Sequence, residues 1–169
     1  LRDVVQEPVI LFRESHPAIT YDLILPEEPV VGLFDRRLIT QAVTNLVKNA
    51  TEAVEQAAEE AESGWSGHIE AILRVADGQV MIELIDNGVG LPKQNRSRLL
   101  EPYVTTKGTK GTGLGLAIVQ KIVEQHNGML TLEDAPPGPN RSRGALVRIT
   151  LPVHNESTTK TDVKPEAAE

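Results

Sequence analysis

From Asp35 to about Glu60 the chain carries an apolar stripe that only a long helix keeps on one side. Leu38, Ile39, Ala42, Val43, Leu46, Ala50, Ala53, Val54 and Ala57 recur at a period near 3.6, and Asp35 stands where a helix N-cap belongs. A helix with one apolar face must pack against a second layer. Composition limits what lines the space between the layers. Of 169 residues 40% are apolar but only 3% aromatic, so the core and any pocket are walled mainly by Ile, Val, Leu and Ala. The expected product is a layered α/β domain, large enough to enclose one core.

The segments around this helix supply the partner layer. "LRDVVQEPVILFRESHP" has loosely helical spacing with a kink or late start at Pro8, and "AITYDLIL" and "PVVGLF" read as extended. "ESGWSG" ends the long helix, and "HIEAILRV" and "VMIELI" form two strands across an Asp77-Gly78 turn. After "DNGVGLP", the stretches "KQNRSR" and "LLEPYVTTKGTKGTG" together make a loop-like region of more than 20 residues, a length typical of functional lids or disorder. A helix at 115–127 stops at Asn127-Gly128; "MLTL", the turn-rich "EDAPPGPNRSRG" and the strand "ALVRITLP" follow. From His154 the chain is polar and reads as a disordered tail, giving a domain at 1–153 and a tail at 154–169.

Several function classes are disfavoured at once. Seventeen basic against 24 acidic residues give a net charge of -7 with no basic run, unlike a surface that neutralises nucleic acid phosphates. The absence of Cys excludes disulfides and thiolate zinc sites. No apolar run approaches the roughly 18 residues of a membrane span, and no signal-peptide pattern opens the sequence, so a soluble segment without membrane contact is expected.

Three places carry chemistry. On the long helix, Asn45, Lys48, Asn49 and Glu52 fall within about 100° of one another around the axis. Two Asn one turn apart go against helix propensity by about 0.5 kcal/mol each, a local conflict that tends to mark functional sites; the plain alternative is a solvated flank. An amide oxygen such as that of Asn49 can ligate Mg²⁺ while phosphates and water complete the octahedron. Next, Asp86, Asn87, Gly88, Val89 and Gly90 follow an apolar strand. There a carboxylate can accept from an exocyclic amine, although Asn-Gly is also a common hairpin signal. Finally, glycines at 108, 111, 113 and 115 leave backbone N–H groups bare at the start of a helix, with Lys107 and Lys110 adding charge. That is a phosphate cradle, or else a flexible linker. It is not a Walker A loop, since Leu-Gly follows "GTKGTG" where Lys-Ser or Lys-Thr is required. A dinucleotide fingerprint stays open through Gly113, Gly115 and Glu133, but Ile118 holds the third glycine's place and a long lid precedes the glycines in place of a strand.

Taken in order, "NLVKNATEA" (45–53), "DNGVGLP" (86–92), "EPYVTTK" (101–107) and "GTGLGLAIVQKIVEQHNG" (111–128) resemble the N, G1, F and G2 boxes of sensor histidine kinase catalytic domains. These domains belong to the ATPase superfamily that includes gyrase and Hsp90. The resemblance covers residues 1–153 and is nearest to the nitrogen-regulation kinases, particularly the NtrY type. It implies a two-layer α/β sandwich, with a mixed sheet of about five strands packed against three helices and a long ATP lid at 93–112. By the same resemblance Asn49 ligates Mg²⁺, Asn45 and Lys48 sit near the phosphates, Asp86 recognises the adenine amine, and Gly88 and Gly90 shape the base pocket. Thr105, Thr106, Lys107, Gly111, Thr112, Gly113, Leu114, Gly115 and Leu116 contact the nucleotide from the lid and its hinge, and Thr150 lies against the adenine.

Gyrase-like members of the superfamily activate water with a Glu one turn before the metal Asn. Here that place is Asn45, so slow hydrolysis is expected and the γ-phosphoryl is left for another acceptor. The family's phosphoacceptor box is missing, because His16, His68, His126 and His154 all have unsuitable surroundings. The chain thus resembles a catalytic domain that depends on an upstream dimerisation and phosphoacceptor domain and passes phosphate to a response regulator, NtrX-like if the subfamily holds. The resemblance further implies a homodimeric, membrane-anchored sensor whose catalytic domain is cytoplasmic and, isolated, monomeric. Two other readings stand beside it: a nucleotide-dependent interaction module without phosphotransfer, and an NAD-binding oxidoreductase domain.

Overall fold

The computed structural model describes residues 1–103, 113–139 and 141–153. The elements are α1 (Arg2–Ser15), β1 (Ile19–Ile24), α2 (Arg36–Glu60), β2 (Gly67–Ala76), β3 (Gln79–Asp86), a 3₁₀ turn (Arg96–Leu100), α3 (Gly115–Gln125), β4 (Met129–Asp134) and β5 (Ala145–Pro152). Thr105, Thr106, Lys107, Gly111 and Thr112, with the tail from His154, lie outside the described residues.

The long helix forms as its stripe requires. The Asp35 carboxylate accepts the Leu38 N–H at 2.9 Å, and Ile39, Ala42, Val43, Leu46, Ala50, Val54 and Ala57 are buried along one side. Asp77 (φ 52°) and Gly78 (φ 71°) place two left-handed residues between β2 and β3, the geometry that suits a two-residue hairpin. The sheet order is β1-β2-β3-β5-β4; β1 and β2 are parallel and every other pair is antiparallel. Ile82 and Leu84 on β3 and Val147 and Ile149 on β5 join the core cluster built with α1, α2 and α3. Their alternating neighbours point away from the helices. There Glu83 is buried between Arg74 and Arg148, and Arg148 also reaches Glu133 at 3.5 Å. This is the expected two-layer sandwich: five strands, mixed pairing, three helices on one face.

Three details differ from the sequence reading. Pro8 neither delays nor ends α1, which is helical from Arg2 to Ser15. Its ring removes one backbone hydrogen bond, but Val4, Val5, Pro8 and Val9 are buried together, which offsets the loss. "PVVGLF" is not a strand. Phe34 N–H turns back onto the Gly32 carbonyl at 3.1 Å, reversing the chain just before the Asp35 cap. α3 stops at Gln125, two residues early, because Asn127 adopts φ 54° and Gly128 N–H closes on the Val123 carbonyl at 2.9 Å.

The turn-rich segment before β5 also has a place. Ala135 packs on Ile72, Ile85 and Leu146 on the outer face of the sheet, and Arg141 pairs with Glu70 at 2.8 Å. The segment thus lies over the sheet surface that the helices leave bare.

Candidate functional site

α2, α3 and the inner end of the sheet enclose a cleft of about 340 Å³. Its apolar walls are aliphatic: Leu46 and Ala50 from α2, Leu116 and Ile118 from α3, Leu84, Ala145 and Val147 from the sheet, and Leu91 and Leu99 from the connection between β3 and α3. The polar residues along one side of α2 line it too, namely Asn45, Lys48, Asn49 and Glu52. Lys48 Nζ lies 3.8 Å from Glu52 Oε1, a pair one turn apart.

Asn45 and Asn49 face the start of α3. A Cβ placed on Gly115 would come within 3.5 to 3.8 Å of the amides of both, so a glycine there keeps the mouth of the helix open beside them. Gly113, Leu114, Gly115 and Leu116 all line the cleft. The glycine hinge predicted from sequence therefore meets the two predicted Asn residues across one space. The positive end of α3 also lies there. Tyr103 N–H donates to the Gly113 carbonyl at 3.0 Å, which ties the two ends of the 104–112 segment together.

At the opposite end, Asp86 is buried at the end of β3, 4% exposed. Its Oδ1 accepts from Gly88 N–H at 2.9 Å and Ala145 N–H at 3.3 Å. Gly88 allows the loop to pass against α2: a Cβ there would lie 2.5 to 2.8 Å from the backbone of Ala53 and Val54. Val89 N–H then donates to the Ala53 carbonyl at 3.2 Å, and Gly90, at φ 79°, lines the cleft. Asn87 serves the fold instead: its Oδ1 accepts from His68 N–H at 2.8 Å and its Nδ2 donates to the Ser66 carbonyl at 2.8 Å. So Asn-Gly here is no hairpin turn; it pins the start of β2 while Asp86 turns inward.

Two described candidates do not line the cleft, Gly88, which packs behind it against α2, and Thr150. The β5 residues that reach the cleft are Ala145 and Val147, and Thr150 has the opposite parity, paired between Met81 and Met129. Two contributions escaped the sequence reading. Ala145, 59 residues away, and Gly144 before it meet Asp86, and Leu91 and Leu99 close the apolar wall. A lone Gly-Ala before a strand carries no local signal of that long-range contact.

The dinucleotide fingerprint fails on topology. Among the described strands only β1 and β2 pair in parallel, and Glu133 pairs with Arg148 on the outer face of the sheet. The described histidines have structural partners. His16 stacks on Phe12 at the end of α1, His68 bonds Asp22 at 2.8 Å, and His126 Nε2 accepts the Asp35 N–H at 3.0 Å; His154 lies outside the described residues. Among the described residues no group of three His, Asp or Glu could hold a metal, and no helix is long and apolar enough to cross a membrane.

Comparison with known proteins places this arrangement. Nitrogen regulation protein NtrY of Azorhizobium caulinodans is 42% identical over 167 residues, 99% of this chain and 21% of the relative. The sensory histidine kinase/phosphatase NtrB of Rhodobacter capsulatus is 38% identical over 139 residues, 79% of this chain and 36% of the relative. The chain thus spans between about a fifth and about a third of the length of these two curated relatives. The mycobacterial sensor histidine kinase MprB has the same fold, with a TM-score of 0.74 and 25% identity over 89% of this chain and 94% of that one. The model of the histidine kinase-, DNA gyrase B- and HSP90-like ATPases matches residues 34–155. Those bounds take in every wall of the cleft, from the cap of α2 to the end of β5, and the chain belongs to that family of ATPases.

Proposed function

We propose that the cleft binds Mg-ATP and that the chain is the catalytic domain of a sensor histidine kinase, passing the γ-phosphoryl to a histidine on a domain outside this chain. The observation that carries this reading is the meeting, across one cleft, of the Asn45 and Asn49 amides, the α3 N-terminus and, at the far end, the Asp86 carboxylate. An adenine amine would be accepted by Asp86, the base would lie among aliphatic walls, and the phosphates would lie against the bare N–H groups at Gly113 and Gly115. Asn49 offers a hard amide oxygen at the phosphate end, and no acidic cluster stands there among the described residues. This suits Mg²⁺, which takes one or two protein oxygens and fills the rest with phosphate and water. When bound, the metal neutralises charge on the phosphates. Lys48 adds positive charge, and Asn45 in place of an acid leaves water without a base, so transfer to an added acceptor outpaces hydrolysis.

Likeness to NtrY and NtrB supports a reading of the whole protein's role. In this reading the phosphoryl goes from ATP to a histidine of a dimerisation domain, then to an aspartate of an NtrX-like response regulator, in a homodimeric, membrane-anchored sensor of nitrogen status whose catalytic domain is cytoplasmic. Residues 1–153 act as one catalytic domain and 154–169 as a tail. Lid residues Thr105, Thr106, Lys107, Gly111 and Thr112 complete the phosphate side. The purified chain, supplied with γ-labelled ATP and a separately made phosphoacceptor domain, is expected to place acid-labile label on the acceptor histidine. Measured ATP binding with no label transferred would overturn the kinase reading and leave a nucleotide-dependent interaction module.

A further inference from the structure

We infer that the segment entering β5, pinned by Arg141 and seated through Gly144, is a positioning element that sets the nucleobase selectivity of the cleft through Asp86. The inference rests on the reading of Asp86 as the base-recognising carboxylate. Asp86 does not stand on β3 alone. One of its oxygens is held by two backbone donors, and the second, Ala145 N–H at 3.3 Å, comes from the start of the neighbouring strand β5. Ala145 can reach it only because Gly144 lies directly against the Asp86 peptide. Any Cβ on Gly144 would fall on the Asp86 carbonyl oxygen and within 3.1 Å of the Asn87 Cα, and its φ of 149° is one that side chains rarely adopt. Gly90, which lines the cleft, comes to the same place: a Cβ there would lie 3.4 Å from the Gly144 carbonyl oxygen.

Gly144 is fixed from outside the cleft. Its carbonyl accepts the Ala135 N–H at 3.0 Å. Arg141, three residues before it, crosses the outer sheet face to Glu70 at 2.8 Å, with side chains only 14% and 20% exposed. Glu70 sits on β2 opposite Ile85, the residue before Asp86. The Arg141–Glu70 pair therefore holds the β5 entry to β2, beside the end of β3 that carries the carboxylate. A carboxylate steered by a donor 59 residues away selects a base by where it points. A site built to hydrogen-bond one group rejects an analogue lacking it, and discrimination falls when the site's groups drift.

The test compares ATP with inosine triphosphate, whose base has a carbonyl where adenine has the amine and whose phosphates are identical. Titration calorimetry with Mg²⁺ on the full chain gives the two affinities for the native protein, Gly144→Ala and Arg141→Ala. The native chain is expected to prefer ATP. In both variants the ATP preference should fall by at least about threefold, the weight of one weakened hydrogen bond, through lost ATP affinity with inosine triphosphate affinity almost unchanged. A merely structural defect would weaken both nucleotides together and leave their ratio intact, and that result would overturn the inference. Should Gly144→Ala fail to fold, Arg141→Ala, which touches no residue of the cleft wall, decides alone. A native chain that binds neither nucleotide would instead sink the ATP reading itself.

Discussion

Asn49 is half-buried on a helix whose apolar stripe needs nothing from it, so its side chain is replaceable for folding, and the proposed metal role is the reason to keep it. Asn49→Ala should leave the thermal midpoint level or slightly higher, since Ala gains about 0.5 kcal/mol of helix propensity, while calorimetry finds Mg-dependent ATP affinity lost. A collapse in stability would make Asn49 a structural residue. Tyr21 poses the opposite case. It is buried, its hydroxyl shares a hydrogen bond with Thr51 at 2.8 Å, and burial raises its pKa, opposed by that bond and reinforced by the Glu55 charge. Above about pH 10 the unfolded chain therefore loses the phenolic proton while the folded one keeps it. Stability is complete below that point and falls as pH rises toward the folded pKa. Tyr21→Phe should cost about 1 kcal/mol at neutral pH and flatten the alkaline decline of the urea midpoint. At this scale the lining of the cleft was legible where chemistry conflicts with local propensity, as for Asn45 and Asn49, or where a strand ends in a carboxylate, as for Asp86. It was not legible for Gly144, whose reason is a contact made through space, nor for Thr150, where a hydroxyl on the right strand has the wrong parity.

Elements were readable to the extent that their ends are local. The Asp35 cap, the Asp77-Gly78 turn and the strand "ALVRITLP" have their causes within a few residues, and the observed bounds follow them. "PVVGLF" looked extended because its apolar content is high, but it joins no described ladder; a bond from the Leu1 nitrogen to the Val30 carbonyl and the Phe34 turn fix it instead. Helix α2 is tied to α3 through the same cap: Asp35 offers its carboxylate to Leu38 and its N–H to His126. Asp35→Ala removes only the carboxylate. The expected loss is about 1 kcal/mol in urea unfolding, with ATP affinity unchanged because the cap lies outside the cleft walls. A matching loss of affinity would mean that the register of α2 against α3 is set at this end.

For the whole molecule, a ligand gripped by α2, α3 and the sheet binds only the assembled state. Mg-ATP at a hundred times its Kd should add about 2.7 kcal/mol, a rise of about 5 to 10 °C in thermal midpoint for a domain of this size. ATP with a chelator should raise it far less, and an equal rise without the metal would remove the case for Asn49 as a ligand. The strand order also has a history in time. β5 is the last of the described strands in sequence but occupies an inner place, with β3 on one side and β4 on the other. As the chain leaves the ribosome, β1, β2 and β3 can pair with one another, while β4 emerges with no neighbour to accept it. Ala145, which steadies Asp86, arrives with β5 as well. The nucleotide pocket and the closure of the sheet are thus completed by the same eight residues, so a nascent chain acquires its binding site and its finished fold together.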